Sequence, residues 1–304
     1  MTALEEMETA VAGIRDRVGG SVVGIGARVR GSGFVFEPGR VATNAHNLRG
    51  ERVTVHVGGE ARLGDVLGVD PDGDLAVVGI DTGTIVPLSP AGAPVAVGRA
   101  VLGVAALPTG GARVTVGFVS AVERTFRGPR GRLVRGSIEH TAPLAQGSSG
   151  GPLVDLGGRL VGINTNRIGD GFYLALPADE ALAGRLAALA RGEVVRRPIL
   201  GVAVVPAHVA RRLRRSVGLP DREGVLVRGV EEGSAAQRGG IREGDLVVAV
   251  GGTPVADPDD LHDALATAEF PLRVTVVRGV EEVLLSVDEP DRADRGSRPG
   301  EAGR

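Results

Sequence analysis

Short apolar runs broken by turn residues dominate the first two thirds of the chain. From Ser21 to about Pro177 they read SVVGIGARV, GFVF, RVAT, RVTVHV, LAVVGI, RAVLGVAAL, RVTVGFVSAV, RLVRGSIEH, PLVDL, RLVGINT and FYLALP. Gly, Pro, Asp or Asn fills nearly every gap, and closely spaced short strands of this kind predict an all-β barrel or sandwich. Two segments carry a helical period instead. Leu4, Met7, Val11, Ile14 and Val18 predict an amphipathic helix within residues 1–20, with acids early, Arg15 and Arg17 late, and Gly19-Gly20 as its stop. Its expected place is against the first domain; the other reading is a docking or assembly helix. After the strands, Asp179 is a helix N-cap, with Leu182, Leu186 and Leu189 on one face.

These patterns divide the chain into a helix at 1–20, a β domain at 21–190, a linker RGEVVRR at 191–197 and a second domain at 198–288. The second domain reads as strands ILGVAVV, GVLVRGV, DLVVAVGG, LRVTVV and EEVLLSV. One helix starts within HVARRLRRSVG, and another at Asp257 with Pro258 in its first turn. Residues 289–304, charged and poor in apolar side chains, are expected to be disordered.

Composition narrows the chemistry. The 304 residues suffice for about two domains of ~100–200 residues each. Aromatics are 2% of the chain, so any core is built from Val, Leu, Ile and Ala. The absence of Cys removes disulfide scaffolds, zinc-thiolate sites and thiol nucleophiles. All 35 basic residues are Arg, which removes Schiff-base lysines, a P-loop lysine and a Ser–Lys dyad. The net charge of −2 argues against a general polyanion binder. Glu5, Glu6 and Glu8 stand where a signal peptide would be basic, and no apolar run approaches the ~18 residues of a membrane span. The expectation is a cytoplasmic protein without a membrane span, extracytoplasmic only if sequence precedes it.

The most informative string is Gly147-Ser148-Ser149-Gly150-Gly151. A nucleophilic Ser needs a tight turn that presents its Oγ, and backbone N–H groups aimed at a developing oxyanion. The amides of Gly147 and Ser149 are candidates for that hole, although most Gly/Ser runs are plain turns. The string also fits G-x-S-x-G of the α/β-hydrolases, whose elbow runs from strand into helix and whose chain order is Ser, acid, His. Here Pro152–Ile163 reads as a hairpin instead, and the alternation of helices with parallel strands is missing, so an esterase of that type is set aside. Other triad orders place His and Asp upstream. Val41-Ala42-Thr43-Asn44-Ala45-His46 puts a His just after a strand, and Asp74-Leu75-Ala76-Val77 puts an acid at the mouth of the next. His46, Asp74 and Ser149 then leave room for His and Asp in a first barrel and Ser in a second.

At these residues the chain resembles the HtrA (Deg-type) trypsin-fold serine proteases that carry a PDZ domain. Gly31-Ser32-Gly33-Phe34 leading to Thr43-Asn44-Ala45-His46, then Asp74-Leu75-Ala76-Val77, Gly117-Phe118-Val119-Ser120, the Gly147–Leu153 block, Gly162-Ile163-Asn164-Thr165 and Ala175-Leu176-Pro177 are similar to that family's segments in order. Arg197–Val202 and Gly233–Val247 resemble the carboxylate-binding turn and following block of a PDZ domain. The resemblance implies a mainly β fold: a chymotrypsin-like double β-barrel followed by a PDZ domain, α+β with a partly open barrel. It implies an ATP-independent endoprotease with Ser149 as nucleophile, His46 as general base and Asp74 orienting it. Gly147 and Ser149 would form the oxyanion hole. Substrates would be unfolded or exposed protein segments, with no cofactor and no metal. The amides of Leu200, Gly201 and Val202 would hold a peptide C-terminus. His262 beside that groove would read a ligand side chain or simply face solvent. Relatives imply a homo-oligomer, with a trimer as the specific form.

There are departures. Asn47 follows the His where the family often has an apolar residue. Leu144, Ala145 and Gln146 replace the usual segment before the nucleophile, and Tyr173 stands where Gly is usual. These four positions belong to the expected specificity pocket. Two Arg clusters, at 211–215 and 124–135, lack interleaved aromatics and read as solvated faces rather than a nucleic-acid site. The competing function is a catalytically silent peptide-binding scaffold or chaperone on the same fold.

Overall fold

The computed structural model describes residues 2–289, apart from 93, 128–132, 170, 194–199 and 206. The expected linker beyond residue 193 and all but the first residue of the expected tail lie outside the described residues. The chain divides into two units, residues 1–195 and 196–304.

The first unit opens with helix α1 (Ala3–Val18), capped by Thr2 and Glu5, each side chain bonding the other's backbone N–H. Six strands then close a barrel: β1 (Val22–Ile25), β2 (Gly31–Glu37), β3 (Arg40–Thr43), β4 (Arg52–Val57), β5 (Glu60–Asp70) and β6 (Leu75–Gly79), in the order β1-β2-β3-β6-β5-β4. A second barrel repeats the plan with β7 (Ala100–Ala106), β8 (Ala112–Arg127), β9 (Leu133–His140), β10 (Pro152–Val154), β11 (Leu160–Gly169) and β12 (Phe172–Pro177), in the order β10-β11-β12-β9-β8-β7. Helix α2 (Glu180–Ala190) follows, with the Asp179 carboxylate accepting from Leu182 N at 2.8 Å.

Each barrel has its own aliphatic filling. Val23, Ile25, Val35, Val41, Val55 and Val78 fill the first; Val101, Val119, Ile138, Leu153 and Val161 fill the second. A further cluster lies between them. It joins Phe34, Leu75 and Val77 of the first barrel to Leu102, Val104 and Ile163 of the second, and takes in Ile14 and Val18 of α1 and Leu182, Leu186 and Leu189 of α2. Strands such as β1 and β6 are therefore buried on both faces, which is why they read as continuous apolar runs.

The second unit holds β13 (Val202–Val205), α3 (Ala207–Ser216), β14 (Val225–Val230), α4 (Ala235–Arg238), β15 (Leu246–Val250), β16 (Thr253–Pro254), α5 (Pro258–Thr267), β17 (Leu272–Arg278) and β18 (Glu281–Val287). The sheet order is β13-β14-β15-β17-β18, with β16 paired to β15, so β13 lies at an edge. Leu261 and Leu265 of α5 pack into the same core as Leu200, Val225, Val247 and Val274.

The structure differs from the sequence reading at several elements; α4 and β16 have no counterpart there. The first strand stops at Ile25, because the chain turns at Gly26–Val29 and Val29 takes φ +44°. In the run ILGVAVV, Leu200 and Gly201 are not strand, and the strand begins at Val202. The sequence reading has no counterpart to β5, whose run is broken by Gly64, Asp65 and Gly68; pairing with β4 on one side and β6 on the other makes it a strand.

Helix α1 belongs to the body of its unit: Ile14 and Val18 are 0% and 1% exposed. Ile14→Ala is expected to lower the unfolding free energy by about 2–5 kcal/mol. Met7→Ala, at a surface position, should change it by under about 0.5 kcal/mol. Urea denaturation of both variants checks the contrast.

Candidate active site

Strand β3 ends at Thr43, and the chain enters a single 3-10 turn, Ala45–Asn47, that carries His46. Asp74 precedes β6 and takes φ +50°, a left-handed conformation that Asp tolerates better than most residues. Four hydrogen bonds hold it there. Gly73 N donates to Asp70 Oδ1 at 2.9 Å, Arg185 Nη2 of α2 donates to Asp70 Oδ2 at 2.8 Å and to Gly73 O at 3.2 Å, and Asn44 Nδ2 donates to Asp74 O at 2.8 Å. Asp70 and Asp74 are each 1% exposed.

The Asp74 carboxylate is met by donors from both barrels. His46 Nδ1 lies 2.9 Å from each carboxylate oxygen, and His46 N donates to Oδ1 at 3.1 Å. Thr165 Oγ1, on β11, donates to Oδ2 at 2.7 Å. Bonded to a buried carboxylate, Nδ1 carries the proton, which leaves Nε2 as the acceptor. The His46 side chain remains 34% exposed.

Ser149 stands in the turn between β9 and β10. Its Oγ donates to Thr165 O at 3.1 Å, and no hydrogen bond joins it to His46 among the described residues. The peptides around it are pinned almost completely. Gly147 O accepts from Ser32 Oγ (2.7 Å), and Ser148 N donates to Ala145 O (3.1 Å). Ser148 O accepts from Gly151 N at 3.0 Å. Ser149 O accepts from Ser32 N and Asn47 Nδ2, both at 2.9 Å, while Gly150 N donates to Asn164 O at 2.7 Å. Among the described residues, the N–H groups left without a partner in this turn are those of Gly147 and Ser149.

The four expected pocket residues fall on two segments. Leu144, Ala145 and Gln146 lead into the nucleophile turn; Leu144 is half-buried and the other two are exposed. Tyr173, on β12, is 7% exposed and stacks on His140 of β9, with centroids 5.9 Å apart and planes 28° apart. His140 is absent from the sequence reading. It is fully buried, and among the described residues neither ring nitrogen has a partner in hydrogen-bond geometry, the Asn164 side chain lying near but not so aligned. Burial pushes its pKa down from 6.5 to about 4, against the opposing influence of the Asn164 side chain.

In the second unit, Gly201 takes φ +76°, and a Cβ there would overlap Ser234, the N-cap of α4. In this turn Ala236 N donates to Leu200 O (2.8 Å) and Glu231 N donates to Gly201 O (2.9 Å), and Val202 begins the edge strand. The Leu200 and Gly201 N–H groups take no partner among the described residues. His262 is exposed on α5, its Nδ1 2.8 Å from Pro258 O.

Two six-stranded barrels with a His–Asp pair in one and a glycine-flanked Ser in the other define a trypsin-like serine protease domain, here followed by a PDZ domain. Residues 31–163 match the trypsin-like peptidase domain family, and residues 226–278 match the PDZ domain family. HhoA of Synechocystis sp. is 34% identical over 277 residues, 85% of this chain and 70% of that protein. The mitochondrial serine protease HTRA2 of Bos taurus is 33% identical over 278 residues, 84% of this chain but 59% of that protein. The structure of the HtrA-type protease AlgW with a tripeptide is 28% identical with a TM-score of 0.66, covering 91% of this chain and 96% of that one. AlgW with a decapeptide is similar in fold, with a TM-score of 0.74 at 23% identity, covering 91% of this chain and 97% of that one. The chain belongs to the HtrA family of serine proteases. Among the described residues, no helix is long and apolar enough to cross a membrane.

His140 makes stability depend on pH. Its folded pKa of about 4 lies below the ordinary 6.5. Between those values the unfolded chain binds more protons, so stability is complete above pH 6.5 and falls as pH drops towards 4, by up to ~3 kcal/mol. His140→Leu should remove that part of the slope. Urea unfolding at pH 4.5 and 7.5, compared between the natural chain and the variant, measures it.

Proposed function

We propose that this chain hydrolyses peptide bonds in unfolded or exposed protein segments, without ATP, through Ser149, His46 and Asp74. The observation that carries the reading is the buried Asp74 carboxylate, bound to His46 Nδ1 and Thr165 Oγ1 while Ser149 Oγ rests on the carbonyl of the same Thr165. Rotation about the Ser149 Cα–Cβ bond exchanges that carbonyl for the imidazole. Ser149 Oγ then attacks the scissile carbonyl carbon as His46 Nε2 takes its proton, and Asp74 stabilises the imidazolium. The carbonyl oxygen becomes an oxyanion facing the N–H groups of Gly147 and Ser149. His46 passes the proton to the leaving amine and the C–N bond breaks. Water, deprotonated by His46, then cleaves the acyl-enzyme. Leu144, Ala145, Gln146 and Tyr173 line the pocket for the residue on the acyl side of the cleaved bond.

The PDZ domain recruits or responds to peptide C-termini. A carboxylate is held by the amides of Leu200, Gly201 and Val202, the peptide adds a strand beside β13, and His262 reads one ligand side chain. The chain assembles as a homo-oligomer, a trimer by the family resemblance, which light scattering reads directly.

Ser149→Ala should abolish cleavage of casein without unfolding the chain, and His46→Ala should lose nearly as much, on the order of 10⁴–10⁶ in kcat. A fluorophosphonate should label Ser149. Unchanged cleavage by Ser149→Ala overturns the assignment, and a folded chain that is never labelled is a silent scaffold.

A peptide with an apolar C-terminal residue should bind roughly 10- to 100-fold more weakly as its amide, because a charge-assisted hydrogen bond contributes about 1.5–3 kcal/mol. Gly201→Val should weaken it similarly, since a Cβ would overlap Ser234. Equal affinity for acid and amide in calorimetry would show that this domain does not read C-termini.

A further inference from the structure

The residue after the catalytic-base candidate is buried and polar, and it reaches across to the opposite barrel. Asn47 is 3% exposed. Its Nδ2 donates to Ser149 O at 2.9 Å and to Thr43 Oγ1 at 3.0 Å. The orientation of the amide follows from chemistry: a carbonyl oxygen accepts only, so the atom facing Ser149 O is the NH₂ group. Thr43 Oγ1 spends its own hydrogen on Ser32 O at 2.7 Å and is left as an acceptor towards Asn47. Ser32 N supplies the second donor to Ser149 O. Space for the carboxamide exists because residue 31 is Gly: a Cβ there would overlap the Asn47 amide carbon.

We infer that Asn47 is a positioning residue for the nucleophile. This rests on the reading of Ser149 as nucleophile. Its carboxamide acts through the Ser149–Gly150 peptide, whose plane is fixed by Asn47 Nδ2 and Ser32 N on the oxygen side and by Asn164 O on the N–H side. Fixing that plane restrains ψ of Ser149, and with it the direction of the Cα–Cβ bond about which Oγ swings and of the neighbouring Ser149 N–H. An apolar residue at 47 would fill the same space and leave the oxygen with one donor. Asn47 touches neither substrate nor a reacting atom in this role, so its effect falls on the chemical step and not on binding.

The test uses the full chain with four variants. Asn47→Leu keeps the bulk and removes the donor. Asn47→Ala removes both. Asn47→Ala with Gly31→Ala returns volume to the vacated space without a donor. Ser149→Ala is the unreactive control. The measurements are the second-order rate of fluorophosphonate labelling, kcat and KM for casein per titrated active site, the pH–rate profile, and the urea midpoint. Asn47→Leu should lose roughly 10- to 100-fold in labelling rate and kcat, with KM within about threefold and the pH–rate midpoint unmoved. The double variant should regain the urea midpoint lost by Asn47→Ala while its labelling rate stays low. A double variant that regains both, or an Asn47→Leu chain that labels at the natural rate, overturns the inference and makes Asn47 a space filler. Should Asn47→Leu not fold, the double variant gives the same decision. If the natural chain itself is not labelled, the reading of Ser149 fails instead, and the two failures are told apart.

Discussion

A buried carboxylate must be solvated by the protein itself, and Asp74 takes its donors from two different barrels. His46 supplies two N–H groups from the first barrel and Thr165 supplies an O–H from the second. The aliphatic cluster between the barrels, from Phe34 and Leu75 to Leu102 and Ile163, brings them together but is tolerant of small slides. The hydrogen bonds to Asp74 are not, since they weaken within a few tenths of an ångström of their optimum. The apolar seam thus gives proximity, and one charge gives register. The same Thr165 offers its carbonyl to Ser149 Oγ, so Asp74 and Ser149, the proposed acid and nucleophile, are referenced to a single residue.

The turn that holds Ser149 is built the same way. Ser32 and Asn47 from the first barrel, and Asn164 and Gly151 from the second, engage its carbonyls and amides until two N–H groups remain. Those two belong to Gly147 and Ser149. In a well-packed interior an unpaired N–H is costly, and this turn keeps both of them beside the one hydroxyl it presents.

The parts of this arrangement that were legible in the sequence are those written in consecutive residues. Gly147–Gly151 marks its own turn, Thr43–His46 and Asp74–Val77 mark strand ends, and Asp179 and Asp257 mark helix starts by capping chemistry. The long apolar runs gave the barrels for the same reason. What stayed hidden is carried by pairs that meet only after folding: Thr165 with Asp74, Asn47 with Ser149, Ser32 with Gly147 and Arg185 with Asp70 lie 91 to 115 residues apart. Thr165 stood inside a quoted motif without a role, and Asn47 was visible only as a polar residue in an apolar place. His140 left no signal, since a buried imidazole stacked on Tyr173 is indistinguishable, as a letter, from one on the surface. Strand β5 was missed because its glycines and acids interrupt the apolar run, and its neighbours supply the order.

Arg185 sits on the last helix of the first unit, and its guanidinium closes the turn that leads into Asp74. Asp74, the proposed acid of the triad, lies in the first quarter of the chain, but its backbone clamp is encoded more than a hundred residues later. A ribosome would therefore release His46, Asp74 and Ser149 in turn without yet releasing a finished set. A chain grown only as far as residue 180 lacks the clamp, and the left-handed turn at Asp74 is then left to the Gly73–Asp70 and Asn44–Asp74 hydrogen bonds.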